Sequence, residues 1–438
     1  MKSQNPAGRT FVALALAYLS TVTLYINIYC IPPIALSLMR ETEIGHFQVG
    51  LLMTVYAVVY CFSNLAAGIL SDRFGPKAVM CGGLLLGYLA TWILSGTSNF
   101  TLMVLTRIGI GFSAAAMTAP CMLFVQGWLP PEKKSLGVSG HLAALTLGSA
   151  AVFLITPILG EGIPWRPLIR IYAAIGAGVL IAFWLFADPP PLGEQGPRES
   201  ASDGVSGFCS PSLILLSAIL FIDMFQIGGT LVWLSPWLEE KCGLPPSGVG
   251  VGGMAFSLVG IPASLLGGYL AGKCRQRGKR KGLESIVWLS AVGSILSAAT
   301  GLLVFLEAPH FFPLIITVII LARWGSFMGV GPLLSIVLEL TSQQAVGRAL
   351  GFVNTVMLSG AFLSSLLSGF FIEKTGEYDL VWVTFAAVLV LSAFVLHPLL
   401  SRQLGWAGAL QRSGITAGIV VTPEHRGEPH RGAKAQDN

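Results

Sequence analysis

The sequence predicts an all-α membrane protein, with twelve transmembrane helices arranged as two pseudo-symmetric six-helix bundles. Three observations carry that expectation: a composition too apolar for a soluble core, twelve segments of bilayer-spanning length, and patterns that recur at matching places on either side of a central linker. Of the 438 residues, 54% are hydrophobic and 11% charged, whereas an average soluble domain carries roughly 25% charged residues. The seven cysteines, Cys30, Cys61, Cys81, Cys121, Cys209, Cys242 and Cys274, are scattered without CxxC or zinc-ligand spacing, which excludes a disulfide scaffold and gives no metal site. The formal charge of +5 is explained by membrane topology and implies no nucleic acid.

A bilayer core about 30 Å thick requires roughly 20 mostly apolar residues per helix. Such segments run over 11–38, 47–70, 78–96, 100–128, 135–159 and 167–187, and again over 211–237, 246–271, 285–306, 311–339, 346–372 and 379–400. In lipid every backbone amide must be bonded within its own segment, so spans of this length are helices. The first segment follows Lys2 and Arg9 as a secretory signal would, but it is too long for one and is read as a retained helix. Between the sixth and seventh segments, "DPPPLGEQGPRESASDGVSGFCS" is rich in Pro, Gly, Ser and acids and reads as a flexible linker. The expected organisation is therefore an N-terminal bundle over 1–187, a cytoplasmic linker over 188–210, a C-terminal bundle over 211–400 and a disordered tail over 401–438.

Lys and Arg fix the expected orientation. Alternate loops on one side, termini included, hold nineteen of them, among them the run from Lys273 to Lys281. The other side holds five: Arg40, Arg166, Arg170, Lys241 and Lys374. Cytoplasmic loops carry the excess, so both termini are expected in the cytoplasm of a plasma (inner) membrane protein.

The two halves are related. LTRIG in segment 4 (Leu105, Arg107, Gly109) has its counterpart in LARWG of segment 10 (Leu321, Arg323, Gly325), and GILSDRF at the end of segment 2 matches GYLAGKC at the end of segment 8. Between segments 2 and 3, GILSDRFGPK fits the pattern G-x-L-x-D-R-x-G-x-K at Gly68, Leu70, Asp72, Arg73, Gly75 and Lys77. With twelve spans and a central linker, the chain resembles the major facilitator superfamily from about residue 11 to 400. The residues themselves suggest that Gly68 allows close helix approach and Gly75 a tight turn. The resemblance implies a gating latch between the halves, formed by Gly68, Asp72, Arg73, Gly75 and Lys77, with the acid near the start of helix 11, where Thr341, Ser342 or Gln343 begins the helix and its dipole favours a negative charge. The second copy has Gly272 where the acid belongs, so a symmetrical second latch is not expected.

Ionisable groups inside a span are expensive to bury, and each is a functional candidate. Arg107, Asp223 and Arg323 are the three, on helices 4, 7 and 10, and the resemblance places these helices around a central cavity. Arg107 can serve as a hydrogen-bond hub to helix 1. Arg323 can clamp an oxyanion through two parallel bonds. Asp223 can pair with either arginine, carry a coupling proton or meet a cationic solute. Two positive charges and one negative leave the cavity at +1, which an anion would balance. Tyr25, Asn27, Gln226, Ser326 and Asn354 are the polar residues expected to complete a substrate site, and His141 is expected to be structural.

The drug-antiporter pattern GPxxGG survives only as TPILGE around Pro157 and Gly160, and glycine-dense nitrate signatures are not evident. No HExxH, P-loop or GxSxG stands in a suitable context, so no catalytic residue, metal or cofactor is expected beyond a coupling proton. The expected function is a secondary transporter working by alternating access on a small organic or inorganic anion, proton-coupled or by exchange. The expected partners are that small-molecule solute and the lipid bilayer, with the chain a monomer. The rivals are an exporter of drugs or hydrophobic cations and a non-transporting receptor on the same scaffold.

Overall fold

A computed structural model of the chain describes residues 6–130, 134–190, 210–276, 279–341 and 346–412. Among these residues there is no strand, and twelve helices are long and apolar enough to cross a membrane. In the first half these are α1 (Pro6–Ile28) continued by α2 (Ile31–Thr42), α3 (His46–Phe74), α4 (Pro76–Gly96), α5 (Phe100–Trp128), α6 (Lys134–Gly160) and α7 (Trp165–Phe186). The second half comprises α8 (Pro211–Glu240), α9 (Pro246–Leu258) continued by α10 (Gly260–Arg275), and α11 (Lys279–Ser297), which extends as a 3-10 turn over Ala298–Phe305. It is completed by α12 (Phe312–Leu340), α13 (Val346–Thr375) and α14 (Asp379–Leu391), the last joined by a π turn, Ser392–Leu396, to α15 (His397–Arg412).

The sequence pattern suggests unbroken spans; besides the 3-10 turn over Ala298–Phe305, the structure has three interruptions, and each of these has a proline behind it. A proline lacks the N–H that would bond the carbonyl four residues back. Pro32 thus frees the Ile28 carbonyl at the α1–α2 break, and Pro262 frees that of Leu258 at the α9–α10 break. Pro398 follows the π turn, where the helical spacing has already lengthened.

The tail expectation is corrected in part. The chain stays helical to Arg412 because Leu404 packs into the second-half core and Gln403 accepts a hydrogen bond from Ser212 at 3.3 Å. Linker residues 191–209 and the tail from 413 lie outside the described residues.

Small residues let the helices approach. A Cβ on Gly50 of α3 would lie 2.5 Å from the Ser365 carbonyl oxygen of α13, one on Gly250 of α9 would lie 2.7 Å from the Leu154 carbonyl of α6, and one on Gly293 of α11 would lie 2.5 Å from the Gly325 carbonyl of α12. The first two contacts join the halves. Both sit towards the face that carries Gly45, Gly160, Glu240 and Glu373, where one apolar core runs through both halves and includes Val49, Phe153, Trp233, Val249 and Trp382. At the opposite face, which carries Pro211 and Arg412, the second half keeps a core of its own from Leu216, Leu220, Ile286, Leu333, Val353 and Leu400. The halves are thus fused at one face and packed separately at the other.

Candidate functional site

The break in the first span explains the position of Arg107. Its side chain is fully buried, and Nη1 donates to the Ile28 carbonyl at 3.2 Å, the acceptor that Pro32 leaves without an amide partner. Nη2 reaches Cys30 Sγ at 3.9 Å. A buried carbonyl without a donor costs about 1–3 kcal/mol, so Arg107 both satisfies and fixes the bend between α1 and α2.

Arg323, at the repeat-related place on α12, has a different environment. Its guanidinium lies over the rings of Phe256 (4.2 Å) and Phe327 (4.1 Å), and Nε and Nη1 are buried without a hydrogen-bond partner. The residue is 8% exposed. Stacking on two desolvated rings holds the charge in place but leaves its in-plane donors unused.

Tyr29, in the break between α1 and α2, interacts electrostatically with Arg323 across the halves and belongs to a tyrosine cluster. Its ring centroid lies 5.9 Å from that of Tyr25, 6.4 Å from Tyr56 and 6.5 Å from Phe153. Tyr60 stacks on Tyr56 at 6.2 Å and accepts a hydrogen bond from Thr118 at 3.3 Å. Four tyrosines of the first half therefore stand as i, i+4 pairs, Tyr25 and Tyr29 at the end of α1 and the break that follows it and Tyr56 and Tyr60 on α3, and Tyr29 connects them to the cation of the second half.

The remaining candidates turn elsewhere. Asp223 accepts from Ser294 Oγ of α11 at 3.2 Å and joins no ion pair among the described residues, so it pairs with neither Arg107 nor Arg323. Gln226, one turn on, accepts from Ser326 at 3.0 Å and donates to Thr230 at 3.1 Å, while Ser326 also meets Ser297 at 2.8 Å. These three candidates form the polar interior of the second half. Asn27 donates to the Thr23 carbonyl at 2.7 Å and to that of Tyr172 in α7 at 3.4 Å, tying helices within the first half. Asn354 is exposed, and His141 is buried against Thr21 at 3.3 Å. Of the sequence candidates, the structure brings Tyr25 and Arg323 towards one site. Tyr29, Tyr56 and Tyr60 were missed, though their i, i+4 spacing on two spans was a readable signal.

The proposed latch loop is placed in part. Gly75 has φ +81°, the left-handed region that glycine tolerates, at the joint between α3 and α4. Lys77 donates to the Trp184 carbonyl at the end of α7 at 2.9 Å, and Arg73 lies over Phe74 at 5.2 Å. A Cβ on Gly68 would meet nothing within 4 Å, so the close approach expected there is not made in this conformation. Thr341 caps the end of α12 and does not begin α13, whereas Ser342 and Gln343 lie outside the described residues.

The face where the halves are fused carries its own polar seam. Glu373 of α13 accepts from the Phe47 amide at the start of α3 at 2.8 Å, and His46 Nε2 stands 4.0 Å from Glu240. The His46 ring lies 5.6 Å from that of Trp233, and Tyr378 donates to Glu240 at 2.9 Å.

A model of the Major Facilitator Superfamily matches residues 17–293 and, as a second match, 217–414. The chain belongs to the major facilitator superfamily. Two overlapping matches agree with two related halves, and twelve spanning helices make this superfamily member an integral, multi-pass membrane transporter of small solutes and not an enzyme. A probable sulfoacetate transporter of Cupriavidus necator is 24% identical over 396 residues, covering 84% of this chain and 89% of its own. The nitrite extrusion protein of Bacillus subtilis is 24% identical over 395 residues, covering 89% and 94%. Among solved structures of the superfamily, a bacterial homologue of the human lysosomal transporter Spinster, inward-facing and occupied, superposes with a TM-score of 0.75 at 18% identity over 91% of this chain and 98% of its own. That last likeness is one of fold.

Proposed function

We propose that this superfamily member carries a small organic or inorganic anion by alternating access, with both termini cytoplasmic. The observation that carries the reading is Arg323: a cation in the membrane interior, stacked between two phenylalanines, with two buried N–H groups that no protein atom accepts. Such donors are costly to leave unmade, and a carboxylate or similar oxyanion satisfies them with charge-assisted bonds. Asp223 faces α11 and neutralises neither arginine, and with Arg107 turned to the α1–α2 bend the positive balance expected from sequence rests on Arg323 alone. The tyrosine hydroxyls of Tyr25, Tyr29, Tyr56 and Tyr60 add donors from the opposite half.

Fusion of the halves around Gly50, Gly250, His46 and Glu373 closes one face; the opposite face, where α1 begins and α15 ends, is on this reading the open, cytoplasmic one. An anion bridging Arg323 and Tyr29 would draw the open face together. The names of a sulfoacetate transporter and a nitrite extrusion protein among the relatives are consistent with an anionic solute. The test is counterflow in liposomes with thermal-shift screening of the purified protein. Small carboxylates, sulfonates and inorganic anions are expected to stabilise the protein and exchange. Stabilisation and exchange by lipophilic cations alone would overturn the reading.

A further inference from the structure

Asp223 is a buried acid that the anion site does not use. It is 1% exposed, and its carboxyl faces Ser294 on α11, a helix that packs against α10, α12, α14 and α15 within the second half. An ionised carboxylate in such a place, with a hydroxyl and no cation beside it, costs several kcal/mol. Binding a proton removes the charge and leaves a group that still hydrogen-bonds.

A second titratable group meets the same helix, α11, one turn away. His397, fully buried at the start of α15, meets Ser290 of α11 through Nε2 at 3.3 Å and the Ser392 carbonyl through Nδ1 at 2.9 Å. A carbonyl accepts only, so Nδ1 carries the proton, and Nε2 of the neutral ring is left as an acceptor for the Ser290 hydroxyl. Ser290 and Ser294 are four residues apart and share one face of α11, about one turn or roughly 6 Å of rise between them. A Cβ on Gly329 of α12 would lie 2.6 Å from Ser290 Oγ, so only glycine fits against this hydroxyl. The ring sits immediately after the π turn Ser392–Leu396, a backbone irregularity that occurs frequently at functional sites.

We propose that Asp223 is a proton-binding site inside the second half, separate from the anion site, and that Ser294 and Ser290 link it to His397. The group facing the carboxyl is Ser294 from α11; one turn on along α8, Gln226 meets Ser326 from α12, and α13 packs on α8 through Gly360, against the Phe221 carbonyl. Arg323 of α12 is held between Phe256 and Phe327 and has Tyr29 as its electrostatic partner. His397, on Ser290, is the titratable group that meets α11 one turn away. Because α8 also carries Trp233 and Glu240 to the fused face, a change of charge at Asp223 acts on the helix that holds that face closed.

The test uses the purified full chain without any anion, so its failure would leave the Arg323 reading untouched, and the reverse also holds. Infrared spectra are compared between about pH 5 and pH 9, spanning the range in which a buried carboxyl can titrate. The wild-type spectrum is expected to contain a protonated-carboxyl C=O band at neutral pH that is lost in Asp223→Asn. The same band should shift in frequency in Ser294→Ala, and the pH at which it disappears should move in His397→Gln. Absence of any band that Asp223→Asn removes, or of its response to Ser294→Ala, would overturn the site. A disappearance pH unchanged in His397→Gln would overturn the link to the histidine.

Discussion

Replacing Arg323 by glutamine is expected to separate binding from stability. The guanidinium has two buried, unpartnered donors and two aromatic faces against it. A hydrogen bond to a charged group contributes about 1.5–3 kcal/mol, so two such bonds to a bound anion contribute at least about 3 kcal/mol. At about 1.4 kcal/mol per tenfold, Arg323→Gln should weaken anion binding at least about 100-fold. Its effect on the empty protein should be small, because the cost of burying a charge is relieved while the stacking on two rings is lost and little hydrogen bonding changes. Arg323→Lys keeps the charge but not the planar fork and should fall between the two. The assay pairs counterflow in liposomes with thermal unfolding of the purified protein, with and without the anion that stabilises the wild type. Unchanged half-saturation in Arg323→Gln, or a large fall in the unfolding temperature of its empty form, would refute the reasoning.

Three further outcomes follow from the packing. Arg107→Met should cost about 1–3 kcal/mol by leaving the Ile28 carbonyl without a donor, and adding Pro32→Ala, which restores the helical N–H, should recover part of it; strictly additive effects in the double-mutant cycle would remove Arg107 from that role. Gly50→Val should force α3 away from the Ser365 carbonyl and open the fused face, read as new solvent labelling of a cysteine placed nearby, whereas Gly68→Val, with nothing within 4 Å, should leave labelling unchanged; equal effects would contradict the assignment of the closed face. Glu373→Gln removes a carboxylate from the amide end of α3, an interaction of about 0.3–1 kcal/mol at an exposed helix start. The closed population should therefore fall roughly two- to fivefold by distance measurements across the seam, and no change there would show that Glu373 does not hold it.

The spans and their order were legible residue by residue, since hydrophobic length and charge placement are local properties of the chain. The repeat was legible too, through LTRIG and LARWG, yet the two arginines it pairs do different things. Arg107 meets a carbonyl freed by Pro32, and Arg323 meets only aromatic rings. That difference comes from a proline on another helix and from two phenylalanines, Phe256 on α9 and Phe327 on α12, that sequence spacing alone does not bring together. Likewise Asp223, Gln226 and Ser326 looked like cavity groups because they lie on cavity helices. A helix has several faces: Asp223 turns to α11, and Gln226 and Ser326 turn to each other and, through Ser297, to α11.

The sequence by itself determined that this chain is a twelve-helix membrane protein of two related halves with three charges inside it, because in lipid the backbone must bond internally and apolar length is decisive. Only the tertiary structure decided that Arg107 meets a backbone carbonyl, that Arg323 lies between aromatic rings and that Asp223 faces a serine of α11. A side chain's partners depend on helix rotation and close approach, set at Gly50, Gly250 and Gly293 by the absence of a Cβ.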